Sequence, residues 1–170
     1  MPLTRRRQTP NNTYRGMAGM NNKLDLQTLA TRAAQSSGFS AEQAEVFGRA
    51  AQWHVAEERD CDALLMALAD TRDSPILRLP LMLTDLMAAC AALSGTAELT
   101  LNPKDSHLAP SYARLLPVHL AECEVVQRAE QLRLRITTDA TQSSEMQMTH
   151  VIPPSELIQR LKQIARSAGL

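Results

Sequence analysis

Apolar positions in the first half of the chain recur with the period of a helix. Asp25 is placed to cap a helix on which Leu26, Leu29, Ala30, Ala33 and Ala34 follow the i, i+3, i+4, i+7, i+8 spacing, with Gly38 as its stop. Ser40 with Gln43 three positions on has the form of a capping box. The helix it opens has Ala44, Phe47, Ala51 and Val55 inward, with Val46, Ala50 and Trp53 on a flanking face. A third, shorter helix carries Leu64, Leu65 and Leu68 and ends near Asp70. Residues 71–75 read as a loop. Pro80 is placed to open a fourth helix, because a first-turn proline gives up no hydrogen bond. That helix is apolar nearly all round, which predicts cover on most sides, and it ends at Ser94 and Gly95.

After Gly95 the period falls to two. Ala97, Leu99 and Leu101 alternate with Thr96, Glu98 and Thr100, the pattern of a half-buried strand. Residues 103–117 contain three prolines and no clear period, and read as a long connection. A second strand over 118–126 places Ala121, Cys123 and Val125 on one face. A third over 131–137 points Leu132, Leu134 and Ile136 inward, with Arg133, Arg135 and Thr137 outward. After a turn over 139–145, a fourth strand runs through Met146, Met148, His150 and Ile152. Pro153 and Pro154 then start a final helix with Leu157, Ile158, Leu161, Ile164 and Ala165 on one stripe. Helices first and strands second, without βαβ alternation, predict an α+β fold. About four helices pack on a mainly antiparallel sheet of about four strands, with a C-terminal helix.

The 170 residues are 44% hydrophobic and 21% charged, enough for one domain with a core. Eighteen basic residues balance eighteen acidic ones, which argues against nucleic-acid binding, and 3% aromatic content leaves little for base stacking. Residues 1–19 hold four arginines and no acid, so the remainder carries fourteen basic against eighteen acidic residues, a net of −4. That polar stretch reads as a disordered basic extension ahead of a single domain over 20–170, and as a non-native one, because Met17 or Met20 would be a natural start. The most apolar segment, 79–93, is shorter than the ~18–20 residues of a bilayer span and is interrupted by Asp85. It predicts a core helix and no membrane association. Cys61, Cys90 and Cys123 are odd in number and about thirty residues apart, with no secretory signal ahead of them. They read as reduced cytoplasmic thiols that serve as small core hydrophobes.

The stretch LDLQTLATRAAQSSGFSAEQAEVFGRAAQW (24–53), followed by PLMLTDLMAACAALSGTAELTLN (80–102), resembles a family of small proteobacterial cytoplasmic proteins catalogued as a domain of unknown function. The resemblance covers about half the chain. It implies one compact bacterial cytosolic domain and carries no catalytic residues. The two-helix opening is also similar to the N-terminal helices of type 2 malate/lactate dehydrogenases. In those enzymes a Ser-His-Gly motif follows the helices, whereas here residues 57–65 read EERDCDALL, so the likeness is one of helix patterning.

Candidate chemistry is sparse. Six glycines form no phosphate-cradling motif. His54, Glu58 and Cys61 stand at i, i+4, i+7, so one helical face would present N, O and S donors to a metal, with His119, Cys123 or His150 as further ligands. A solvated helix end accounts for the same residues without a metal. Asp105, Ser106 and His107 are triad residue types, but as sequence neighbours they read as a turn. Arg49 lies one turn from Trp53, and both types are enriched at interface hot spots; Arg49 is also placed to pair with Glu45. Arg128, Arg133 and Arg135 make a basic stripe on the outer sheet face. An exposed apolar patch at Trp53 or at Met146 and Met148 would mark a contact surface.

These readings converge on a cytoplasmic, non-catalytic binding domain that acts through a protein partner or as a homo-oligomer. No cofactor, metal, nucleic acid or membrane is expected, and Arg49, Trp53 and His54 are the candidate binding residues. The alternative is a small enzyme or enzyme subunit whose site assembles from Arg49, His54, Glu58, His119 and His150.

Overall fold

The computed structural model describes residues 17–92, 95–142 and 152–167, with side chains from Leu26 onward within those ranges. Its first helix, α1, spans Met17–Ser37 and so begins eight residues ahead of the cap expected at Asp25. Gly38 ends it with φ +105, a backbone conformation that strains any residue with a Cβ. The Ser40 hydroxyl then accepts from the Gln43 amide at 3.2 Å while the Gln43 side chain accepts from the Ser40 amide at 3.1 Å, the capping box expected there. It opens α2, Ala41–Ala56, which buries Ala44, Phe47, Gly48, Ala50, Ala51, His54 and Val55.

The two helices cross tightly at Gly48. A Cβ there would lie 2.7 Å from the Gln27 carbonyl of α1 and would collide with the Thr31 hydroxyl. The missing side chain is what permits the approach, and it outweighs the low helix propensity of glycine at this position.

Helix α3, Asp62–Ala69, buries Leu64, Ala67 and Leu68. Helix α4 spans Pro75–Ala92 and starts five residues before the proline expected to open it. The start is set by buried Ser74, whose hydroxyl accepts from the Ile76 amide at 3.1 Å and donates to the Ala67 carbonyl at 2.6 Å. Pro80 therefore sits inside the helix. Its cost of one missing backbone bond is offset by the buried stripe of Ile76, Leu79, Leu83, Leu86 and Cys90, which begins ahead of it. Full burial is confined to that stripe and Pro75, with Leu77, Met82, Met87 and Ala89 partly covered; Leu81 is 71% exposed and Thr84, Asp85 and Ala88 face outward. At 18 residues α4 is long and apolar enough to cross a membrane by length and composition, which the 79–93 window was not.

Strands β1 (Thr96–Thr100), β2 (Leu120–Arg128) and β3 (Gln131–Thr138) form an antiparallel sheet in the order β1-β3-β2. Register puts Ala97, Ile136 and Cys123 in one inner row and Leu99, Leu134 and Val125 in the next. A bulge between Leu120 and Glu122 shifts the alternation, so Leu120 is buried and Ala121, expected inside, is exposed. The β2–β3 turn contains no glycine; Ala129 takes a positive φ of 52° instead. On the outer face Glu98 collects Arg128 at 3.1 Å, Arg135 at 3.0 Å and Arg133 at 3.7 Å. The expected basic stripe is thus a cross-strand ion network around a carboxylate. The described residues hold three strands, not four; the predicted fourth lies outside them except for Ile152, which is 73% exposed and precedes the last helix as irregular chain.

The segment 103–117 departs most from expectation. It contains a 3-10 turn over Pro103–Asp105 and a short helix α5, Ala109–Ala113, in which every residue is buried. Tyr112 is among the largest fully buried side chains, and its hydroxyl has no hydrogen-bond partner among the described residues. This connection is part of the core. Helix α6, Ser155–Ser167, closes on α1 through Leu157 and Leu161, with the Ser36 hydroxyl donating to the Ala165 carbonyl at 3.1 Å.

Replacing Gly48 with alanine is expected to cost about 2–3 kcal/mol by overpacking against the ~1 kcal/mol gained in helix propensity, a net loss of about 1–2 kcal/mol. For a domain of this size that lowers the melting midpoint by roughly 2–8 °C. Thermal unfolding of Gly48→Ala checks it, and a midpoint equal to or above the parent would contradict the tight crossing.

Candidate functional site

The chemistry-bearing residues are sorted by how α2 ends. Its last hydrogen bonds run from the Glu58 amide to the Val55 carbonyl at 3.0 Å and from the Arg59 amide to the His54 carbonyl at 3.1 Å. Glu58 takes a left-handed φ of 53° to make this turn. The chain therefore leaves the helix before Glu58, and His54, Glu58 and Cys61 do not share a helical face. Glu58 is exposed, Cys61 half-buried and His54 fully buried. Among the described residues no group of three or more His, Cys, Asp or Glu side chains could hold a metal ion.

His54 is occupied on both ring nitrogens. Nε2 lies 2.8 Å from the Asp60 carbonyl, which only accepts, so Nε2 carries the proton and donates. Nδ1 then accepts from the Ser111 hydroxyl at 2.9 Å. Burial holds the His54 pKa below the ordinary imidazole value, with the bond to Asp60 opposing it. A neutral ring satisfied on both sides joins α2, the turn after it and α5. Ser111 is itself fully buried, so this serine and histidine present no nucleophile to solvent.

Next to it Glu57 accepts from Arg59 Nε at 2.7 Å and from Arg114 Nε at 2.6 Å. At the other end of 103–117, buried Asp105 receives Arg78 in a two-pronged pair, Nε at 3.0 Å and Nη2 at 2.6 Å. Arg78 also pairs with Asp73, which holds Lys104. Asp105 thus anchors the turn, the Ser106 hydroxyl donates to the Pro103 carbonyl at 2.8 Å, and His107 faces outward; the three form no triad. Burial raises the pKa of all three thiols, Cys61, Cys90 and Cys123, which suits packing rather than nucleophilic chemistry.

Arg49 and Trp53 are treated differently by the fold. They face a cleft of about 390 Å³ shared with Gln27 of α1, Gln52 and residues 114–117. Arg49 is exposed and makes no hydrogen bond or ion pair among the described residues, so the expected pair with Glu45 is not formed. Trp53 is half-buried, part core and part cleft wall. The structure thus brings Arg49 and Trp53 together and withdraws His54 into the core. His54 edges a different cleft, beside Arg59, His107 and Cys123. Glu58 and His119 line neither cleft, and His119 leads into β2 with its Nδ1 buried and unpartnered among the described residues. His150, Met146 and Met148 lie outside the described residues. Arg114 was missed at the sequence level because the helix that carries it to the cleft was read as loop.

No family model, curated protein or solved structure matches the chain.

The His54 environment sets a pH dependence. The unfolded imidazole binds protons more readily than the folded one, so folding stability is complete above the ordinary imidazole value and declines as pH falls through and below it. Melting midpoints of the parent and of His54→Gln, compared from pH 8 to pH 5.5, are expected to differ most at high pH and to converge as pH falls. A difference that stays constant would contradict a neutral buried His54.

Proposed function

We propose that the chain is a non-catalytic binding domain that engages an acidic segment of a protein partner at the Arg49/Trp53 cleft. One observation carries this: Arg49 is exposed with no partner among the described residues, next to the chain's single tryptophan, which is only half-buried. Arg59 and Arg114, near the end of α2, are instead committed to Glu57. An unpaired guanidinium offers a planar fork to a carboxylate. The indole offers a large, stiff apolar surface, and the Gln27 side chain adds an amide of the kind that bonds peptide backbone. A carboxylate with an apolar neighbour in an extended segment matches that set. Arginine and tryptophan are also the residue types that dominate binding energy at protein interfaces.

Trp53 is a built-in probe, since no other tryptophan contributes to emission. Capped peptides in which leucine is flanked by glutamates are expected to shift its fluorescence saturably, and glutamine-flanked versions to bind at least tenfold more weakly. Arg49→Glu is expected to remove that preference while leaving the melting midpoint nearly unchanged, because the parent side chain is exposed and unpaired. Equal responses to acidic and neutral peptides, or unchanged binding by Arg49→Glu, would contradict the reading. Sedimentation velocity on the same samples separates partner binding from self-association: a dimer disrupted by Arg49→Glu would assign the cleft to a second copy.

A further inference from the structure

A second cleft lies on the other side of α1, against α6, and has a different chemistry. It encloses about 370 Å³. Leu29 and Ile158 form its floor, with Pro153 and the 73%-exposed Ile152 as one wall. Arg32 from α1 and Lys162 from α6 are exposed at its edge. Among the described residues neither makes a hydrogen bond or ion pair, and no acidic side chain lines the cleft.

We propose that this cleft binds a small anionic amphiphile, a carboxylate head on a short alkyl tail. The cleft complements such a ligand in both charge and polarity. Two exposed cations from separate helices line the same cleft and give it a positive character that favours an anion, and arginine grips a carboxylate with two parallel hydrogen bonds. Below the rim the floor is apolar, and exposed apolar surface of this kind gains from covering by hydrocarbon. The volume lies at the lower end of small-ligand clefts, which fits a short chain better than a folded partner. The Ser36 hydrogen bond to the Ala165 carbonyl holds the two helices together further along, so the cleft walls are fixed relative to each other. This site is independent of the Arg49/Trp53 cleft, with which it shares no lining residue.

The test uses octanoate as the anionic probe and octanol as its neutral counterpart, both below self-association, against the full chain. Isothermal titration is expected to show saturable one-to-one binding of octanoate, with octanol at least tenfold weaker. Amide shifts in a ¹⁵N–¹H spectrum are expected to cluster at Leu29, Ile158 and Lys162. The double variant Arg32→Ala, Lys162→Ala is expected to weaken octanoate at least tenfold with the melting midpoint retained, because both side chains are exposed and unpaired. Arg49→Glu is expected to leave octanoate binding unchanged, which separates failure here from failure of the peptide-binding reading. Octanol binding as tightly as octanoate, no saturation through the low millimolar range, or full binding by the double variant would overturn the proposal.

Discussion

An imidazole with no contact to solvent must have both nitrogens paired, and in this fold the pairing of His54 decides where three pieces of chain go. Its Nε2–H points at the Asp60 carbonyl and its Nδ1 takes the Ser111 proton, so the turn after α2 and the helix α5 are held against the same ring. Losing either partner would leave a buried polar atom unsatisfied, at a cost of about 1–3 kcal/mol. The Arg78/Asp105 pair does the same at the start of that segment. With polar anchors near both ends, residues 103–117 fold inward and contribute Leu108, Ala109, Tyr112 and Ala113 to the core.

The same economy explains why so few of the polar side chains remain for binding. Glu98 absorbs the arginines of the outer sheet, Glu57 absorbs those beside the His54 turn, and the thiols sit where burial suppresses ionisation. What is left is uneven. Arg49 lines a cleft with a half-buried tryptophan, and Arg32 and Lys162 line a partly apolar groove, all three without a carboxylate partner among the described residues. Surface cations are ordinary; cations at the mouth of a concave surface lined with apolar or aromatic groups are where binding is expected.

Elements whose signals are local were legible in the sequence. The Ser40/Gln43 box, the Gly38 stop and the alternation over β3 each depend on a few adjacent residues, and each appears as expected. Departures arise where a tertiary contact overrides the local signal. Ser74 starts α4 ahead of Pro80 because a carbonyl from α3 meets its hydroxyl. The bulge at Ala121 follows from strand pairing, which alternation alone does not show. Residues 103–117 look like loop because their ordering rests on His54 and Arg78, 57 and 27 residues away from their partners. Site residues divided in the same way. Arg49 and Trp53 lie one turn apart on a helix, and that local spacing places them in one cleft; the partners of His54 are not legible locally, because both lie outside α2. The metal-like spacing of His54, Glu58 and Cys61 dissolves because Glu58 ends the helix in a left-handed conformation without the glycine that usually signals it.

In this fold His54 is a neutral, Nε2-protonated imidazole fixed between Ser111 and the Asp60 carbonyl. A long-range ¹⁵N–¹H correlation spectrum of the histidine side chains, assigned with His54→Gln, observes this directly. The account predicts that the His54 Nδ1 resonates as an unprotonated, hydrogen-bond-accepting nitrogen and Nε2 as protonated, and that this pattern persists as pH is lowered past the ordinary imidazole value. An Nδ1-protonated tautomer, or a ring that becomes doubly protonated at the ordinary value, would contradict it.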